Sequence, residues 1–182
     1  MPEWIQSIDD QTFDWFREHH AQWLDYHVKN LTVLGSTTLL AVIGLVALGA
    51  LLLCNQCKKA VLFVVLVVGL FYATQGIKTA VARHRPPQAK AHSGSFPSGH
   101  SSRTMTVLGL LALCLRSPRQ EGIRPVLFVY ALFTALLLAV AVGLSRLYLG
   151  DHYLSDVIAG WLLGLLFLVV FCLADRLTRS ET

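Results

Sequence analysis

A chain of 182 residues that is 54% hydrophobic and only 14% charged, with a mean hydropathy of +0.57, lies far from the average water-soluble protein. That composition excludes an ordinary soluble globule and places the chain in a bilayer. The net charge of +4 is no nucleic-acid signal, because the basic residues flank apolar stretches and form no aromatic-interleaved patch; no nucleic-acid partner is expected.

In chain order, Pro2 to Asn30 sets Trp4, Ile5, Ile8, Phe16, Trp23, Leu24 and His27 at loosely helical spacing among Asp9, Asp10, Asp14, Glu18 and Asp25. The pattern suits an amphipathic helix at the membrane interface, and equally an acidic helix packed on the protein's own surface. With six acidic groups and no apolar core, these residues do not resemble a cleavable signal peptide. Five uncharged segments follow: Leu31 to Cys54, Ala60 to Ile77, Met105 to Leu115 with a polar lead-in from Pro97, Pro125 to Leu144, and Val157 to Ala174. A membrane-spanning helix needs about 20 such residues. The expected fold is therefore all-α, a polytopic membrane helix bundle of five transmembrane helices plus an N-terminal amphipathic helix. Residues 1–30 form the interfacial segment and residues 31–182 the membrane-embedded domain.

The four cysteines suggest structural roles. Cys114 and Cys172 lie within apolar helices, and the Cys54-x-x-Cys57 pair has no partner pair at zinc-ligand spacing.

Ionisable residues beside membrane helices are costly and mark function. Three clusters stand out: Lys78 to Pro86 (KTAVARHRP), Ser95 to Arg103 (SFPSGHSSR) and Ser145 to Asp156 (SRLYLGDHYLSD). Antiparallel crossing puts the end of the second helix, the start of the third, the end of the fourth and the start of the fifth on one membrane face, so the clusters converge. Lys78, Arg85 and Arg146 supply three cations, two of them planar forks suited to phosphate, and no carboxylates cluster to hold a divalent metal; neither metal nor cofactor is expected. Pro97 fits a first helical turn that Ser95 could cap, with the N–H groups around Ser98, Gly99 and His100 facing an anion. His152 and Asp156, four residues apart, share a helical face, so the carboxylate can orient the imidazole for attack on phosphorus while His100 protonates the leaving oxygen. Each piece has a plainer reading: a capped helix start, an interfacial histidine, a snorkelling cation. Together, on a matching topology, they favour chemistry. Arg83, His84, Lys90, His92, Asp151 and the His19–His20 pair read as loop or rim residues.

The set Lys78-x6-Arg85-Pro86, Pro97-Ser98-Gly99-His100 and Ser145-Arg146-x5-His152-x3-Asp156 resembles the three-part signature of the type 2 phosphatidic acid phosphatase family, in its membrane-embedded branch. The resemblance covers Lys78 to Asp156 and leaves the residues before Leu31 outside it. It implies a metal-independent phosphatase working through a phosphohistidine, with His152 as nucleophile, Asp156 as its partner, His100 as acid, and Lys78, Arg85, Ser98, Gly99 and Arg146 binding phosphate. Many membrane members have six spanning helices, one more than expected here. A site among bilayer helices implies an amphiphilic substrate: phosphatidylglycerol phosphate, phosphatidic acid, undecaprenyl diphosphate or a lipid A type glycolipid. Short loops imply little head-group recognition beyond phosphate. Transfer of phosphate to a second lipid, or non-catalytic anion or lipid transport, are the competing functions.

Orientation follows from basic residues. The face without the motifs holds seven: Lys58, Lys59, Arg116, Arg119, Arg124, Arg176 and Arg179. The motif face holds five once the three phosphate ligands are set aside: Arg17, Lys29, Arg83, Lys90 and Arg103. The expectation is an N-out, C-in protein of a bacterial-type inner membrane, with the pocket on the extracytoplasmic side.

Overall fold

The protein is described by a computed structural model over residues 1–89, 93–115 and 124–180, the side chains of residues 124, 179 and 180 excepted. Lys90, His92, Arg116, Arg119, Glu121 and Glu181 therefore lie outside the described residues. Among the described residues seven helices follow one another: α1 (Glu3–Glu18), α2 (Gln22–Val33), α3 (Thr37–Leu53), α4 (Cys57–Val81), α5 (Gly99–Cys114), α6 (Arg124–Tyr148) and α7 (Leu154–Ser180). No strand occurs among the described residues.

Among the described residues three helical stretches are long and apolar enough to cross a bilayer: Cys57–Val81, Pro125–Tyr148 and Leu154–Thr178. The helices α2 and α3, bent by 40° at a short break, make a fourth if counted as one span. This makes the chain an integral membrane protein, but it alters the expected count. Leu31 to Cys54 is not one straight helix, because the Ser36 hydroxyl accepts the Leu39 N–H at 3.3 Å and starts a new helix. The Met105 to Leu115 segment belongs to α5, whose 16 residues reach only about 24 Å. Half of the helix's first eight residues are serine or threonine. The expected N-terminal amphipathic helix is likewise two helices, and the boundary at residue 30 falls inside α2.

Helix α5 occupies the middle, packed against α3, α4, α6 and α7. Its Ser101, Ser102, Thr104 and Thr106 are all fully buried. Between 22% and 28% of each spanning window is buried within the protein, so most of α4, α6 and α7 is left for lipid. Lipid tails are as apolar as leucine and do not drive helices together, so close packing of small residues has to. Gly160 and Gly164 supply it on α7. A methyl group at Gly160 would stand 2.6 Å from the Ser98 carbonyl oxygen, and one at Gly164 would stand 2.7 Å from the Met105 Cβ. Below this seam Leu40, Phe63, Leu110 and Phe171 fill an apolar core. Above it, the end of α4, the start of α5, the end of α6 and the start of α7 meet under α1.

Candidate active site

The segment after α4 carries the first basic cluster. Helix α4 stops at Ala82 in a left-handed conformation (φ 46°), and the chain then runs extended to Pro86, whose predecessor disfavours helix. Lys78, in the last turn, reaches the Gly94 carbonyl, and its ammonium lies 3.4 Å from the Ser95 carbonyl. Arg85 donates through Nε to the Ser93 carbonyl (2.8 Å), through Nη2 to the Ser93 hydroxyl (3.1 Å) and through Nη1 to the Asp151 carbonyl (3.0 Å). Its Nη1 also stands 3.2 Å from His152 Nε2. A guanidinium has only donors, so Nε2 is the accepting nitrogen and the ring proton is on Nδ1. That nitrogen faces Asp156 Oδ2 at 3.4 Å.

Asp156 is fully buried and saturated. Its Oδ2 accepts from the Ser95 hydroxyl and from the Tyr153 N–H at 3.0 Å, and its Oδ1 accepts from Arg83 Nη1 at 2.8 Å. With His152 these donors take up the roughly four lone-pair positions of a carboxylate. The bond to Tyr153 is also half of a capping box, a third-position acid reaching back to the residue before the helix. Burial outweighs the pull of Asp156 and lowers the His152 pKa to about 4, so the imidazole is neutral at neutral pH with its lone pair on Nε2, where Arg85 donates to it.

His100 sits at the start of α5, against the break between α2 and α3. A methyl at Gly35 there would lie 2.6 Å from Val142 Cγ1 and 3.0 Å from both His100 Cδ2 and Thr104 Oγ1, so only glycine permits this approach. Ser98 caps α5, accepting from the Ser101 N–H, while its own N–H donates to the Asp156 carbonyl at 2.8 Å. That bond joins the second motif to the third. It also corrects two expectations: Ser98, not Ser95, caps this helix, and the Ser98 N–H is spent on protein. The N–H groups of Gly99 and His100, in the open first turn, have no intrahelical partner.

Arg146, at the end of α6, donates to Thr32 Oγ1 at 2.8 Å and pairs with Asp151 Oδ2 at 2.7 Å, with Nε buried and unpartnered. The structure thus brings together Lys78, Arg85, Ser98, Gly99, His100, Arg146, His152 and Asp156. It also adds residues assigned to the rim or left aside. Arg83 is no rim residue: it bridges Asp156 and Asp9, and the charge and hydrogen bonds of those two carboxylates outweigh its burial to raise its pKa. Asp151 is no bystander but the partner of Arg146. Arg103 lies over the first turn of α5, 2.7 Å from where a methyl at Gly99 would stand, with a buried, unpartnered Nε. A signal for Arg103 was present in its spacing, four residues past Gly99 on one helical face. No local signal connects Asp9 to a residue 74 positions away.

Among the described residues, five cations (Lys78, Arg83, Arg85, Arg103, Arg146) face three carboxylates (Asp9, Asp151, Asp156). The excess of two positive charges complements a phosphate dianion. The chain matches the PAP2 superfamily model over residues 59–179. It belongs to the PAP2 superfamily. Its relatives include phosphatidylglycerophosphatase B of Bacillus subtilis, 34% identical over 96% of this chain and 87% of that protein. An undecaprenyl-diphosphatase of Sulfolobus acidocaldarius is 41% identical over 38% of this chain and 28% of its own length. Among solved structures, the transmembrane PAP2 type phosphatidylglycerolphosphate phosphatase of Bacillus subtilis superposes with a TM-score of 0.86 at 26% identity, covering all of this chain and 89% of that one. Aquifex aeolicus LpxE shares the fold with a TM-score of 0.70 at 20% identity, over 90% of this chain and 94% of that one. The family places this chain among membrane lipid phosphatases.

Proposed function

We propose that the chain hydrolyses a lipid phosphomonoester, phosphatidylglycerophosphate in the first instance, through a phosphohistidine on His152. The observation that carries this reading is the setting of His152, its Nδ1 on Asp156 and its Nε2 turned to the cation cluster. In this mechanism Lys78, Arg85, Arg103, Arg146 and the N–H of Gly99 bind the phosphoryl oxygens, while Ser98 shapes the turn. Nε2 attacks phosphorus, and Arg85 releases the ring to bind phosphate. The P–O bond to the lipid breaks, its electron pair leaves with the alkoxide oxygen, and His100 supplies the proton. Water then attacks phosphorus with His100 taking its proton, and the P–N electron pair returns to Nε2. Burial first, and then Arg146 and Arg103, lower the His100 pKa; the dianion offsets those cations and lets the ring hold a proton as the substrate binds. Fixed donors stabilise the trigonal-bipyramidal phosphorus without a metal.

The head-group choice rests on the relative matched along nearly the whole chain. The test is phosphate release by purified protein from phosphatidylglycerophosphate, phosphatidic acid and undecaprenyl diphosphate, with EDTA and with vanadate. Highest kcat/KM on the first lipid, survival in EDTA and loss with vanadate are expected. Activity restored only by added metal refutes the metal-free mechanism, and phosphate appearing on an acceptor lipid instead of in solution indicates phosphotransfer.

In the same reading α1 lies in the interface with Trp4, Ile8 and Trp15 outward, and the site faces the extracytoplasmic side of a bacterial inner membrane. An impermeant thiol reagent on intact cells should then label Gln88→Cys and spare the exposed native Cys54 and Cys57. The reverse pattern inverts the topology.

A further inference from the structure

We propose that Asp9, on the N-terminal helix α1, is a positioning residue for hydrolysis: it locks Arg83 against Asp156 and thereby fixes the imidazole of His152. The inference rests on His152 as nucleophile, but Asp9 lies outside all three clusters. Asp9 is 1% exposed, whereas Asp10 and Asp14 on the same helix are exposed. Its Oδ1 accepts from the Ser155 N–H at 2.8 Å, and its Oδ2 accepts from the Ser155 hydroxyl and from Arg83 Nη2, both at 2.6 Å. One carboxylate from α1 thus caps the first turn of α7 and closes the far side of the arginine. Arg83 Nη1 meanwhile donates to Asp156 Oδ1 at 2.8 Å and to the Ser155 hydroxyl at 2.7 Å, and the guanidinium lies 4.2 Å above the Tyr153 ring.

The chemistry of this arrangement points past mere anchorage. A buried ion pair is seldom the most stabilising way to fill its space, since desolvation offsets much of the attraction, and apolar residues would tie α1 down as well. What the pair supplies is orientation. Arg83 reaches both carboxylates at once with separate nitrogens, which fixes its plane as no single contact could. Asp156 in turn holds His152 across 3.4 Å, a distance at the long edge of hydrogen bonding. A small tilt of the carboxylate breaks that contact and frees the ring to turn its Nε2 lone pair away from phosphorus. Release of Arg83 Nη2 by loss of Asp9 permits that tilt.

The test uses the isosteric Asp9→Asn in full-length protein, reconstituted in vesicles containing the lipid phosphate, with thermal unfolding confirming the fold. Expected is a fall in kcat of about 10- to 100-fold with KM nearly unchanged, because ground-state binding by the cations is intact while the attacking ring is not aligned. Arg83→Lys, which keeps the charge but cannot bridge both carboxylates, should show the same kcat loss. Decisive is the pairing with Asp156→Asn: in that background Asp9→Asn should cost no more than about twofold, since its route to His152 is already cut. Equal losses in both backgrounds, a change confined to KM, or wild-type kcat for Asp9→Asn and Arg83→Lys would each overturn the proposal. Failure of the underlying reading has a different signature: wild-type enzyme quenched in alkali, where a P–N bond survives, carrying no phosphohistidine, or His152→Ala keeping its activity.

Discussion

Helices α5 and α6 lie side by side and obey opposite rules. Helix α5 is short, begins Gly-His-Ser-Ser-Arg-Thr, and buries four of those six residues, Ser101, Ser102 and Thr104 among them; α6 is 25 residues long, almost wholly apolar, and turns Val129 and Phe133 outward at 61% and 65% exposure. In water that pattern would be an inverted protein. In a bilayer it is the stable one, because apolar side chains gain nothing by leaving lipid while each polar group must find its partner inside. Burial in this chain therefore reports close packing and polar satisfaction instead of hydrophobicity. The contrast makes the two helices separately breakable.

The largest break comes from the chemistry gathered at the α5 end. His152→Ala should lower kcat by at least about 10³-fold while the protein stays folded, measured by phosphate release alongside thermal unfolding. Asp156→Asn should fall short of that, because the Ser95 hydroxyl, 3.5 Å from His152 Nδ1, still faces the ring. Next is the seam. Gly160→Val pushes two methyls into the Ser98 carbonyl, where one would already stand 2.6 Å away, so about 1–3 kcal/mol of stability should be lost together with most activity, as His100 shifts with its helix turn.

A charge-preserving change sharpens the comparison further. Arg85→Lys and Arg146→Lys keep the net charge, yet each should cost about 10- to 1,000-fold in kcat/KM, because a point charge cannot reproduce the fork that binds two phosphate oxygens. The smaller pH effect has a definite sign. Burial puts the His152 pKa at about 4, below its ordinary 6.5. Above pH 6.5 the group is neutral folded or unfolded and contributes nothing. As the pH drops from 6.5 to 4 the unfolded chain takes up a proton that the folded one refuses, and stability falls, levelling off below 4. The Tm of the wild type should decline more steeply across that window than that of His152→Gln. Smallest of all, Leu137→Ala on the outward face of α6 should leave Tm and kcat within error, since the side chain is 56% exposed and meets lipid in either state.

The sequence spoke clearly about the three clusters that meet at one end of the bundle, since their spacing encodes shared helical faces, as with His152 and Asp156. It spoke less clearly about helix ends. Leu31 to Cys54 has no charge to mark its break, and the break depends on Ser36 choosing a cap and on Gly35 fitting against Val142 and His100, which are packing facts. Least legible was the support of Asp156. Ser95 reads locally as a cap, and its hydroxyl is drawn instead to a carboxylate 61 residues away. Asp9 and Arg83 look like members of solvated charge runs until the fold places them on one another.

The backbone bond from the Ser98 N–H to the Asp156 carbonyl, described above as a join between two motifs, also divides the molecule for evolution. Because main chain meets main chain there, the spacing between His100 and His152, the proposed proton donor and nucleophile, is insensitive to which side chains clothe the outer helices. Substitutions facing the acyl chains on α3, α4 and α6 are then free to drift with membrane thickness and lipid composition. A lineage could thus retune which lipids approach the pocket while inheriting the hydrolytic apparatus unchanged.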